Sequence, residues 1–139
     1  MLRLLWLSVV VLGLDQLSKF WVMQSFTPYE VREILPFFNL TLVFNPGAAF
    51  SFLGDAGGWQ RWLFTAVAVV VSIVLSIWLS RLTPERRLLG VALALLIGGA
   101  VGNLIDRLWL GQVIDFLDLH WQGWHWPAFN LADSAITLG

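Results

Sequence analysis

Three runs of this 139-residue chain are apolar over the length needed to cross a bilayer: 4–24, 59–80 and 88–108. A hydrocarbon core about 30 Å thick takes roughly 20 helical residues. In lipid, only a helix or a closed barrel satisfies its own backbone. The second run contains AVAVVVSIVLSI, without a single charge. Helices in a membrane are therefore the expected architecture, and one domain is what this length holds. Charged residues make up 12% of the chain, half the roughly 25% of a soluble domain. The net charge of −1 argues against nucleic acid as a partner. The absence of cysteine excludes disulfides, thiol chemistry and a Cys-ligated zinc.

A cleaved leader is the alternative for the first run. Asp15 and Lys19 interrupt its apolar core and no small-x-small cleavage pattern follows, so a retained helix is expected. Arg3, Arg81, Arg86 and Arg87 place the N-terminus and the 81–87 loop in the cytoplasm. Residues 27–58 and 109–125 then face outward as loops. Trp21, Trp59, Trp62, Trp109, Trp121, Trp124 and Trp126 would form an outer belt, with Trp6 and Trp78 on the inner side.

The 27–58 loop carries Pro28, Pro36, Pro46 and the turn-forming GDAGG at 54–58. FFNLTLVF at 37–44 is rich in β-formers, and Asn45-Pro46-Gly47 ends it, so a small sheet on the membrane surface is expected. Phe37, Phe38, Phe44, Phe50 and Phe52 would touch lipid. A fourth apolar run starts near Trp126 and reaches Gly139, about 14 residues or ~20 Å. That is too short to cross, and the chain reads as a fragment ending inside its fourth helix.

Polar residues stand out against this background. Asp15 and Lys19 are four apart and share a helix face. A structural ion pair is the favoured reading, a role beside a reactive site the other. Gly98, Gly99 and Gly102 permit close helix contact. Asn103 and Arg107 again share a face, either as helix-end polarity or as groups that hold peptide carbonyls. Asp133 falls inside the fourth apolar run, where a carboxylate costs roughly 2.5–3.5 kcal/mol at a helix centre. It needs a polar cavity or a partner, and Asp115 and Asp118 are the partner candidates. Two carboxylates close together cannot both ionise easily, so one keeps its proton while the other stays a base.

Other chemistries have weaker support. His120 and His125, with Asp115 or Asp118, make a poor metal pattern, and neither H-E-x-x-H nor G-x-S-x-G occurs. Pairing Ser18 or Ser134 with Lys19 lacks a motif. Intramembrane acids also serve as proton relays in transporters, which leaves a non-enzymatic transporter or assembly factor as the second class. The inner halves of the helices, with only Thr and Ser, offer such a relay no path.

Together, DQLSK at 15–19, FNPGAAFS at 44–51, GGAVGNLIDR at 98–107, VIDF at 113–116 and FNLADS at 129–134 make the chain resemble lipoprotein signal peptidase (signal peptidase II). That family comprises bacterial aspartyl proteases of the inner membrane. The resemblance implies an all-α membrane protein, a four-transmembrane-helix bundle with a small periplasmic sheet cradle between helices 1 and 2. It implies Asp115 and Asp133 as the catalytic dyad, ruling against Asp118. Asn45, Asn103, Arg107, Asn130 and Ala132 would surround the substrate, with Asp15 and Lys19 in support. The implied substrate is a diacylglyceryl-modified prolipoprotein, cut before the lipid-bearing Cys, by a monomer working without metal or cofactor beside membrane lipid.

Overall fold

The structure, a computed structural model, describes residues 1–45 and 59–139. The turn at 46–47, the GDAGG segment, Phe50 and Phe52 lie outside the described residues. Three long helices fall on the three apolar runs: α1 (Leu5–Ser25), α2 (Trp59–Ser80) and α3 (Arg87–Leu110). Among the described residues, three segments are long and apolar enough to cross a membrane: Leu2–Ser25, Arg61–Ser80 and Pro84–Leu110. On α2, Val67, Val70, Ile73, Val74 and Ile77 are exposed along its length. A contiguous apolar face of that size is stable only against lipid or a partner.

Glycines set how closely α3 is approached. A Cβ at Gly98 would lie 2.9 Å from the Ser8 carbonyl oxygen on α1, and one at Gly99 only 2.5 Å from that of Ala132. The α3 helix stops at Gly111, whose φ of 76° gives a left-handed cap, its N–H bonded to the Arg107 carbonyl. Arg61 of α2 reaches across to the same end. Its Nε and Nη2 donate to the carbonyls of Arg107 and Leu108 at 2.9 Å each, so the Arg107 carbonyl is shared with the Gly111 N–H and the Leu108 carbonyl gains a partner at the helix end.

The expected small sheet is present, and it draws strands from beyond the connection between the first two helices. It has four antiparallel strands in the order β1 (Val31–Leu35), β2 (Phe38–Asn45), β3 (Val113–Trp121) and β4 (Trp124–His125). Half of it therefore comes from the α3–α4 connection, which the sequence reads as a loop. Asp115, Asp118 and His120 obscure the strand pattern of VIDFLDLHW, and only pairing with β2 completes it. Ile114 and Phe116 pack with Leu42, Val22 and Phe26, fastening the sheet to the end of α1. Gln122 and Gly123 join β3 to β4 with φ of 51° and 83°, the two positive values a tight hairpin turn requires.

The last helix, α4 (Leu131–Leu138), begins five residues later than the expected start at Trp126. Phe129 pairs with Leu117 of β3, and Asn130 takes the N-cap position, so 126–130 is drawn to the sheet.

Candidate active site

Asp133 occupies the third position of α4. Its backbone N–H donates to the Asn130 side chain at 2.8 Å, and its Oδ2 accepts from the Asn130 N–H at 3.3 Å. This reciprocal capping box satisfies two donors at a helix start that otherwise lack partners. Its Oδ1 accepts from Asn103 Nδ2 at 2.9 Å, which ties α4 to α3.

Asp115 lies on β3 and is buried. Oδ1 accepts from Asn130 Nδ2 at 2.9 Å, and Oδ2 accepts from Asn45 Nδ2 at 3.3 Å. Asn130 thus touches both carboxylates: its amide reaches Asp115 while its carbonyl oxygen and backbone N–H close the cap on Asp133. Burial, followed by the negative charge of Asp133, pushes the Asp115 carboxyl up to about 7 against the opposing Asn45 and Asn130 donors and Lys19.

A cleft of about 470 Å³ opens beside the pair. Asn45, Asn103, Arg107, Asp115 and Asp133 supply its polar wall, and Phe64, Trp124, Trp126 and Phe129 its apolar one. The Arg107 guanidinium sits 5.4 Å from the centre of the Phe64 ring. Of the expected substrate contacts, Asn130 and Ala132 are wholly buried, behind the carboxylates and off the cleft wall.

Asp15 and Lys19 are buried too, with Lys19 Nζ donating to Asp15 Oδ2 at 2.7 Å. Lys19 Nζ also lies 2.8 Å from Asp106 Oδ2 and 3.2 Å from Asn103 Oδ1. Sequence reasoning did not single out Asp106. Its i, i+3 spacing from Asn103 was the available signal. Nor did it anticipate Trp124 and Trp126 as cleft walls, having assigned them to the belt alone.

Asp118 stands apart from the cleft. It accepts from Asn39 Nδ2 at 3.2 Å and lies 3.1 Å from His125 Nδ1, while the His120 and His125 rings stack 5.1 Å apart. Among the described residues, no group of three or more His, Asp or Glu side chains is placed to hold a metal ion.

Lipid-length helices around a cleft with two carboxylates on its wall fit the class of membrane peptidases of the aspartic type. The family model described as "Signal peptidase (SPase) II" matches residues 7–139, and the chain belongs to that family. A lipoprotein signal peptidase of Pseudoalteromonas atlantica is 56% identical over 99% of this chain and 84% of its own length. One from Shewanella piezotolerans is 59% identical over 99% and 81%. A bacterial membrane enzyme solved by the in meso method at 2.3 Å resolution superposes with a TM-score of 0.86 at 31% identity, over 98% of this chain and 81% of that one.

Proposed function

We propose that this chain removes the signal peptide from diacylglyceryl-modified prolipoproteins, cutting before the lipidated Cys, with Asp115 and Asp133 as its catalytic pair. The observation that carries the reading is Asn130, which hydrogen-bonds both carboxylates from one side chain and its backbone. One ionised Asp takes a proton from water as its oxygen bonds to the scissile carbonyl carbon. The other, protonated, donates to the carbonyl oxygen. The C–N bond then breaks as the leaving nitrogen takes up the proton held by the base, and a hydroxyl on the same carbon returns its proton to the other Asp. Arg107, Asn45 and Asn103 on the cleft wall are suited to hold peptide carbonyls. Asn130 and Ala132 support from behind, as do Asp15 and Lys19.

The reading extends to the setting. The chain sits in the bacterial inner membrane as a monomer, with α4 as the fourth helix of the bundle. Its N-terminus faces the cytoplasm and its cleft the periplasm. The arginines near the other helix ends support that orientation. The lipid tails of the substrate would lie in the bilayer beside the cleft. Incubation with a lipidated prolipoprotein, followed by mass, tests the pair. Asp115→Asn and Asp133→Asn should each lower turnover by at least about 10³-fold at unchanged expression. Near-parental turnover by either variant defeats the aspartic mechanism.

A further inference from the structure

Lys19 stands between two acids on different helices, Asp15 of α1 and Asp106 of α3, and all three are buried. A structural ion pair needs one acid, and a second buried carboxylate adds a desolvation cost. What the two acids do next explains the excess. Asp15 Oδ1 accepts from the backbone N–H of Ala132 at 2.9 Å, and Asp106 Oδ2 accepts from that of Ile114 at 3.1 Å. Ala132 immediately precedes Asp133, and Ile114 immediately precedes Asp115. One ammonium is therefore linked, through one carboxylate on each side, to the backbone next to each member of the pair. Gln16 Nε2 braces the two acids, 3.2 Å from Asp15 Oδ2 and 3.2 Å from Asp106 Oδ1.

We propose that Asp106 is a positioning residue for the peptidase reaction, forming with Lys19 and Asp15 a yoke that sets the spacing of the Asp115 and Asp133 carboxylates. This rests on reading those two as the catalytic pair. Neither Asp15 nor Asp106 lines the catalytic cleft, so the yoke acts through the backbone of β3 and α4. Spacing governs how strongly the charge of Asp133 bears on Asp115, with Lys19 from α1 the opposing charge and Arg107 from α3 on the cleft wall.

Full-length Asp106→Asn and Asp106→Leu, assayed on a lipidated prolipoprotein and normalised to folded enzyme, separate this from plain stability. Both are neutral and leave Lys19 its Asp15 partner, but only Asn offers an oxygen to the Ile114 N–H. Leu should fall below Asn in kcat by about tenfold to a hundredfold at unchanged KM. The high-pH limb of its kcat profile should move to lower pH. Equal kcat for the two, or a Leu deficit that vanishes on normalisation with the pH limb in place, overturns the yoke. Should Leu fail to fold, Asp106→Glu serves. It keeps the charge but moves the carboxylate by one methylene, and kcat should fall about tenfold, with parental kcat overturning the proposal. Asp115→Asn and Asp133→Asn run alongside. Turnover by them defeats the catalytic pair and the yoke together, whereas inactive pair variants beside parental Asp106 variants defeat the yoke alone.

Discussion

The two ends of the helix bundle are built on different physics. Near the chain's start and the α2–α3 connection, Leu79, Leu93 and Ile97 pack with Leu5, Leu75, Leu82, Leu89 and Leu96. At the other end, Asp15, Lys19, Asn103, Asp106, Asp115 and Asn130 are equally buried but joined by directional bonds. Lipid tails are as apolar as leucine, so the first end is held by close packing rather than by escape from water. Its energy is spread over many weak contacts. The second end concentrates its energy in a few bonds, each with one correct partner, and leaving a member unpaired costs its full desolvation. The apolar end should tolerate substitution gradually, while the polar end should fail at single residues.

The sharpest contrast comes from Lys19→Met, which leaves Asp15 and Asp106 facing each other without their cation. Breaking a buried pair costs about 3–5 kcal/mol, and thermal unfolding in one detergent should show a loss of that order, together with loss of cleavage. An unchanged Tm would mean that the polar end is no more brittle than the apolar one.

Asp115 tests the same end by pH. Its carboxyl is raised from 3.8 to about 7, so the stability associated with its protonated form is present in full below about pH 4 and lost as pH rises through about 7. The shift caps this at about 4 kcal/mol, at 1.36 kcal/mol per unit. Asp115→Asn cannot ionise, so its Tm relative to the parent should climb between about pH 4 and pH 7 and level off above. Parental kcat/KM should fall as pH rises through about 7, where the folded enzyme loses the Asp115 proton. A pH-independent Tm difference would exclude a buried, proton-holding Asp115.

At the apolar end, Leu93→Ala should cost about 2 kcal/mol, the low end for a large-to-small change because lipid replaces water as the reference. Its turnover per folded molecule should match the parent, and a kcat loss beyond the folded fraction would couple the two ends. The smallest effect belongs to Asp118→Asn, which lies off the cleft and should keep activity within about threefold. A larger loss would bring the Asp118–His125 contact into the reaction.

Legibility in the sequence followed the distance over which each contact forms. Asp15 and Lys19 sit on one helix face four residues apart, so their pairing was plain from spacing, and the structure puts them 2.7 Å apart. The glycines of α3 were equally readable, because close helix approach leaves few other residue types. Choosing between Asp115 and Asp118 was not possible from the residues themselves and came from the family motifs. In the structure the two acids have different partners on β2: Asn45 bonds Asp115 on the cleft wall, whereas Asn39 bonds Asp118 away from the cleft. Strand β3 was missed for the same reason, since its hydrogen bonds go to a segment some 70 residues earlier. Trp124 and Trp126 kept their exposed faces and also wall the cleft, a second use that no local pattern signals.

The capping box at the start of α4 gives Asp133 two employers. Its Oδ2 accepts the Asn130 N–H as part of a helix cap, and in the proposed reaction the same carboxyl gains and gives up a proton in every cycle. A protonated carboxyl is a poorer acceptor than a carboxylate, so each proton uptake slackens the first turn of α4 and each release tightens it. Turnover and the breathing of a helix end would then keep time with one another, and amide exchange at Asn130 would serve as a clock for the chemistry.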